Sequence, residues 1–427
     1  MLKKIKYIFN KINSQFLDNC IMKKLYQYRI LTRISRKRKN KKKINIVFVC
    51  HRPSIWGSLK TVFENCCSDE NIEVIIYAIP NKKELPDRGL IHEVYYSEGA
   101  EEYFKNFPCK VMNGYDYDTG KWLNLKQLRP DYVFFQQPYN ICRPKTLKSN
   151  VVSRYAKICY VHYGILIFSG EVERSVYPLD FFKDVSIIFS ESNFHKVSLE
   201  KLLNEKKMQP SFFLTGYPRF DNLDQFKNIN SEVWNFENHN KFRLLWTPRW
   251  CTNEQTCNFF EYKDLLLDYC IQTPEIDFVF RPHPQAFVGL NATGEFPEKE
   301  ANIYRNKYKQ QCNTSIDTSG EYLSTFYSSD CLITDISSII PEYFLTGKPI
   351  IYCNKSNVFN QFGSKIAKGF YWVENWAELK ATLDMLRSGK DPLREKREEL
   401  IKTEFYIPKE GAGYLIKEII KKDFYNA

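Results

Sequence analysis

The sequence predicts a two-domain α/β protein in which parallel strands alternate with helices, and three observations predict it. Continuous apolar runs such as INIVFVC (44–50) and IDFVF (276–280) lack the alternation of a half-exposed sheet; they are strands of the kind that crossover helices bury on both faces. Segments of helical spacing separate these runs throughout the chain. The 427 residues and 50.8 kDa exceed what a single core fills, so two domains plus a terminal extension is the natural expectation.

The extension comes first. Residues 1–43 hold 15 of the 62 Lys and Arg against one acid, Asp18, so they carry +14 of a formal net +12 and leave the body at −2. Apolar positions Ile5, Ile8, Ile12, Phe16, then Leu17, Ile21, Leu25 and Tyr28 fall at helical spacing among the lysines. Two readings fit: a basic amphipathic segment on an anionic inner leaflet, or a solvated basic tail or nucleic-acid arm. The stripe favours the membrane surface, because nucleic acid alone would not need it. Residues 1–43 are therefore read as a membrane-association segment with no nucleic-acid partner, on the cytoplasmic face.

From Ile44 the texture is globular. Strands are read at 44–50, 74–80, 131–138, 157–164, 186–192 and 212–218, giving a first Rossmann-like domain over 44–235. The Asn-rich stretch 228–240 reads as a linker. A second series over 241–405 contains FRLLWTP (242–248), IDFVFRPHP (276–284), SIDTSG (315–320), CLIT (331–334) and IIYC (350–353). Charged helices follow, and 406–427 forms a last amphipathic helix. Thirteen Cys show no CxxC and no Cys/His cluster at zinc spacing, so they read as a reduced set.

Open α/β sheets carry their working residues at the carboxyl ends of strands. That rule selects His51, His162, Arg219, Arg249, Arg281 with His283, and Asp335 with Ser337 and Ser338. RPHP places a guanidinium and an imidazole one residue apart at a strand end, a pair suited to a phosphate. In LITDISSIIPEYFLTGKP, Ser337 and Ser338 are expected to open a helix with Pro341 in its first turn and Gly347 past its end. Two hydroxyls at a helix N-terminus would form an anion site. Three strand-end arginines beside it suggest a diphosphate or phosphodiester guest.

His162 is the candidate general base, with Gly164 allowing a tight turn or close backbone approach; a buried structural histidine is the other reading. His51 ranks second. With no GxxxxGK[ST], GxGxxG, HExxH or metal-holding DxD, neither metal nor cofactor is expected.

At this point the residues resemble a known family. LITDISS is similar to the LITDYSS segment of the CDP-glycerol glycerophosphotransferases, which build teichoic-acid and capsule-type polymers. TGYPRFD, LLWTPRW and RPHP resemble that family's elements in the same order, over roughly 44–405. The resemblance implies a GT-B fold of two facing Rossmann-like domains, with a CDP-activated donor bound by the C-terminal one and a lipid-linked or polymer acceptor.

It further implies that Arg281, His283, Ser337 and Ser338 hold the donor diphosphate within the segment that also carries Thr334 and Asp335. Glu342 would stand near the donor, while Arg219, Pro248 and Arg249 would line the cleft. His162 matches the family's base, followed there by Gly-Thr and here by Tyr163 and Gly164; Asp335-Ile336 stands for Asp-Tyr. The expected reaction moves a glycerol phosphate or related alditol phosphate to an acceptor hydroxyl. A glycosyltransferase using a nucleotide sugar needs the same diphosphate site and stays open.

Overall fold

The computed structural model describes residues 2–87, 90–236, 241–250, 257–283, 286–353 and 358–426. The chain divides into two compact units, the first comprising 1–163, 174–221 and 407–427, the second 164–173 and 222–406.

The first unit is built on seven parallel strands: β1 (Ile44–Cys50), β2 (Ile72–Ala78), β3 (Lys110–Asn113), β4 (Tyr132–Phe135), β5 (Lys157–Val161), β6 (Ile187–Ser190) and β7 (Ser211–Leu214). Their order is β7-β6-β5-β4-β1-β2-β3. Register is set by Ile46 opposite Val74 on one side and Tyr132 on the other. All seven residues of β1 are buried, as a central strand covered by helices on both faces must be. The edge strand β3 was not evident in sequence, because its four residues are only half-buried or exposed and lack an apolar run. An antiparallel pair, Asn81–Asp87 with Leu90–Tyr96, was likewise not foreseen.

Helix α1 spans Leu2–Lys39. Its C-terminal turns are not a free basic tail. Ile30 and Ile34 are buried in the first unit's core. Lys37 Nζ stands 2.6 Å from Oδ2 of Asp131, whose side chain is fully buried, and Arg33 reaches the other carboxylate oxygen at 3.4 Å. Asp131 also accepts the Asn45 N–H at 2.9 Å, so the end of α1 is tied to the start of β1 and of β4. Part of the basic excess is thus spent inside the fold. Ile34→Ala is expected to lower the unfolding free energy by roughly 2–4 kcal/mol, the cost of a large-to-small change in a closed core, as measured by denaturant midpoint.

Helix α2 (Gly57–Cys67) follows β1. The last helix of the chain, α6 (Ala412–Asn426), returns to pack on it rather than standing apart. Gly413 meets Thr61 so closely that a Cβ there would strike Thr61 backbone, and Ile416, Ile420 and Phe424 join the first core. Asp221 caps α6 by accepting the N–H groups of Ala412 and Gly413 at 2.7 and 2.8 Å, and takes the Thr61 hydroxyl at 2.6 Å. That is the N-cap role of an aspartate, supplied from 191 residues upstream of Ala412.

The second unit has six parallel strands: β8 (Phe242–Thr247), β9 (Ile276–Phe280), β10 (Thr314–Ile316), β11 (Cys331–Thr334), β12 (Ile350–Tyr352) and β13 (Tyr371–Trp372). Their order is β10-β9-β8-β11-β12-β13. Aromatics dominate its core: Trp246 lies 4.8 Å from Phe280 and stacks at 5.8 Å on Phe259, the latter from helix α4 (Phe259–Ile271). Residues 164–173 belong to this unit. Asn360 holds them through Leu166 O at 2.9 Å and Ile167 O at 2.9 Å, and Phe168 stacks on Phe359 at 5.5 Å. The sequence placed 164–173 and 222–235 in the first domain, since strand patterns cannot show which core a connecting segment joins.

Candidate functional site

In the first unit the carboxyl ends of β1, β4, β5 and β6 bring together His51, Gln136-Gln137, His162 and Glu191. Gln136 accepts the N–H groups of His51 and Arg52 at 3.0 and 3.1 Å and donates to Arg52 O at 2.8 Å. His51 Nε2 lies 2.9 Å from the Gln137 side-chain oxygen. Burial, with Arg52 next in weight, pushes the His51 pKa down to about 4, so this imidazole stays neutral and is engaged in the scaffold. Arg52 is held by a two-pronged pair with Glu98 at 2.7 and 2.8 Å.

His162 directly follows β5 and is 6% exposed. It stacks on Tyr163 (5.1 Å between centroids, 12° between planes) and meets the edge of Tyr160 at 6.1 Å. The Tyr163 hydroxyl pairs with that of Tyr139 at 2.8 Å, which fixes the ring on which His162 lies. Gly164 departs from expectation: a Cβ there would meet open space and its φ is not left-handed, so neither a tight turn nor close approach accounts for it.

After β7, Gly216 takes φ +78°, a conformation that favours glycine, and Pro218–Phe220 forms a single 3₁₀ turn. This aims Arg219 across the start of α2, where a Cβ on Gly57 would collide with its guanidinium. Gly57→Ala is expected to displace the Arg219 guanidinium at a cost below about 1 kcal/mol, because the end of a flexible side chain can give way. The denaturant midpoint reads the cost, and transfer activity reads the displacement.

In the second unit the ends of β8, β9, β10 and β11 gather Pro248-Arg249-Trp250, Arg281 with His283, Asp317, and Thr334-Asp335. His283 is exposed and stacks on Trp250 at 5.6 Å. The Arg249 guanidinium lies 5.9 Å from the same indole, within cation–π range. Pro284 is outside the described residues.

Arg281 Nη1 contacts Asp317 at 2.5 Å and Ser319 Oγ at 3.3 Å; Nη2 donates to Ser319 O at 2.7 Å. Its guanidinium sits 5.0 Å over the Tyr322 ring. Tyr322 in turn donates to Glu342, which is buried. Arg281 therefore enters the site pre-oriented by an acid. Asp317, Ser319 and Tyr322 were missed in sequence; Asp317 ends a strand, and the strand-end rule applied to SIDTSG would have found it.

Asp335 and Thr334 turn inward. Thr334 is buried, donates to Thr247 O at 2.8 Å and pairs with the Thr247 hydroxyl at 3.0 Å. Asp335 accepts the N–H groups of Arg249 at 2.5 Å and Asn258 at 3.0 Å. It thereby positions the backbone of Arg249, next to Trp250, and that of Asn258, ahead of α4. Burial raises its pKa to about 7, against the opposing pull of those N–H groups and Arg249.

The folded state holds a proton that the unfolded chain releases above its ordinary value of 3.8. Stability therefore falls as pH rises from about 4 to about 7, by roughly 4 kcal/mol if the full shift is expressed. Asp335→Asn is expected to flatten that slope, read by thermal unfolding across the same pH range.

Ser337 is half-buried and Ser338 exposed, but they do not open a helix. Helix α5 runs only Ile340–Phe344, with Ile339 in the capping position and Pro341 in the first turn. Five residues sum to a small dipole, so any anion held here relies on the hydroxyls and on N–H groups of the turn more than on a macrodipole. Gly347 takes φ +75°, as expected past the end of the helix. Among the described residues no group of three or more His, Cys, Asp or Glu is placed to hold a metal ion.

Two Rossmann-like units, with basic and imidazole groups at their carboxyl strand ends, have the fold of the GT-B class. Residues 182–371 match the model of the CDP-Glycerol:Poly(glycerophosphate) glycerophosphotransferase family. The matched stretch is similar to that family over less than half of the chain, and by that likeness the chain is a CDP-glycerol glycerophosphotransferase-like enzyme.

Among solved structures, UDP-GlcNAc 2-epimerase from Neisseria meningitidis bound to UDP-GlcNAc is 14% identical, with a TM-score of 0.56 over 89% of this chain and 100% of that one. S. aureus MnaA with UDP is 13% identical, with a TM-score of 0.60 over 90% and 97%. The wall teichoic acid polymerase TagF soaked with CDPG is 13% identical, with a TM-score of 0.57 over 94% and 98%. At such identities the likeness is one of fold. No curated protein matches the chain in sequence.

Proposed function

We propose that the chain moves a glycerol phosphate, or a related alditol phosphate, from a CDP-activated donor to a hydroxyl of a membrane-associated, lipid-linked or polymer acceptor. The family match carries this reading, because its span contains Arg219, Arg249, Arg281, His283, Ser337, Ser338 and Glu342. In the reaction the acceptor oxygen attacks the distal phosphorus, its proton passes to His162, and the bond from that phosphorus to the bridging oxygen breaks, releasing CMP. Arg281 and His283, with the 337–338 hydroxyls, would offset charge on the phosphates, the term that commonly dominates such transfers. Incubation with CDP-glycerol, CDP-ribitol and nucleotide sugars tests the donor: CMP release with CDP-alditols alone supports the proposal, and UDP release from a nucleotide sugar would replace it with glycosyl transfer.

The membrane part of the reading rests on α1. Ile21, Leu25 and Tyr28 lie on one face at 54%, 43% and 69% exposure, beside exposed Met22 and Leu31, with Lys23, Lys24 and Arg29 between them. No helix among the described residues is long and apolar enough to cross a membrane. A surface-lying helix of this make-up gains from apolar insertion and from about 1 kcal/mol per basic residue near anionic lipid. Because deleting 1–43 would uncover Asp131 and the Ile30–Ile34 contact, the suitable variant is Leu25→Asp with Tyr28→Asp. It is expected to lose sedimentation with phosphatidylserine vesicles while keeping its unfolding midpoint; unchanged sedimentation would remove the membrane role.

A further inference from the structure

Beside His162 lies a small cavity of about 10 Å³, the size that accommodates one water where polar groups line it. Its polar walls are Tyr160, His162, Tyr177, Ser190, Glu191 and His195. Glu191 and Ser192 end β6, and His195 stands in the first turn of α3 (Asn193–Glu205), which Ser192 caps by accepting the His195 N–H at 3.2 Å. His195 Nδ1 is 2.7 Å from Ser192 Oγ and 3.2 Å from Glu191 Oε1. Glu191 is 7% exposed, so its carboxyl group lies against an imidazole away from bulk water.

Two further observations concern what fills the cavity and what it touches. The Tyr160 hydroxyl is buried and has no hydrogen-bond partner among the described residues, an arrangement that a single water would relieve. His162 Nε2 is itself buried.

We infer that Glu191, braced by His195, is a positioning residue for His162. Through one water in this cavity its carboxylate holds the Nε2–H tautomer, which leaves the lone pair on Nδ1 to take the acceptor's proton. The inference rests on the reading of His162 as the base. It follows the general pattern in which an acid behind a catalytic imidazole fixes its tautomer and favours the protonated ring. Among the described residues, the titratable and charged groups placed around His162 are Tyr160, Tyr163, Tyr177, Glu191 and His195, with Arg143 beyond Tyr160. Among these Glu191 is the one carboxylate.

The test uses the full chain with ¹³C-labelled histidine, whose six imidazoles are titrated by NMR; the His162 signal is assigned by its loss in His162→Ala. Removing a nearby carboxylate disfavours the imidazolium, so Glu191→Gln is expected to lower the His162 midpoint by roughly 0.5–1 pH unit. The acid limb of kcat/KM for transfer from CDP-glycerol should move down equally, and kcat should fall at least roughly tenfold with donor KM unchanged. Glu191→Asp should restore part of each.

A folded Glu191→Gln protein whose His162 midpoint is unchanged overturns the inference, whatever happens to activity. If Glu191→Gln does not fold, His195→Asn is judged by the same titration. Failure of the base reading shows separately, as near-normal turnover of His162→Ala while the Glu191→Gln titration shift persists.

Discussion

His162→Ala is expected to lower kcat for transfer from CDP-glycerol by at least about 10²-fold, the lower range for loss of a general base, while CMP binding measured by calorimetry stays within twofold. The separation follows from where the residue sits. His162 belongs to the first unit, stacked on Tyr163, whereas Arg281 and His283, the groups proposed to meet the donor phosphates, belong to the second. The imidazole is nearly buried, so truncation also leaves a void, and the unfolding midpoint should be followed in parallel. His162→Gln, which keeps bulk and polarity but has no basic nitrogen, should be as inactive as the alanine variant and closer to wild type in stability. Turnover of the glutamine variant above a few per cent of wild type would remove the proton-acceptor role.

The second large effect is expected at Arg281, where stability and ligand binding are joined and can be pulled apart. Asp317 is 3% exposed at its side chain and is paired with Arg281, with the Thr325 hydroxyl donating to the same oxygen at 3.2 Å. Arg281→Met strands that carboxylate, and loss of one member of a buried pair costs about 3–5 kcal/mol. Adding Asp317→Asn removes the stranded charge and should recover most of the lost stability.

Binding of CDP-glycerol should not recover, because the guanidinium proposed to meet the phosphates is still absent. The double variant therefore reads the ligand role alone: a donor KM back within threefold of wild type would make Arg281 a structural residue. Restored stability with a KM at least tenfold higher is the expected result.

Much of the architecture was legible because buried parallel strands leave a local signature. INIVFVC became β1 residue for residue, and CLIT became β11. The strand-end rule selects His162, Arg219, Arg249, Arg281 and His283, and each follows the carboxyl end of a strand. A parallel sheet places all its carboxyl ends along one edge, whatever the intervening sequence. What the rule could not show is which of the residues at that edge are engaged by neighbours. Asp335, expected as a ligand contact, is a buried acceptor for two backbone N–H groups, Arg249 just after β8 and Asn258 just before α4. Ser337 and Ser338 carried the pattern of a helix start, yet the helix begins later and is short.

By itself the sequence determined the repeated β–α alternation, the basic N-terminal helix and the strand-end histidines and arginines, because periodicity and residue type are local properties of the chain. Only the tertiary structure decided that α1 spends Arg33 and Lys37 on buried Asp131, and that Asp221 caps a helix beginning at Ala412. The same holds for the acid that orients Arg281 and for the cavity shared by Glu191 and His162. Each of these joins residues far apart in the chain, and the burial that strengthens or neutralises their charges exists only once both partners are packed.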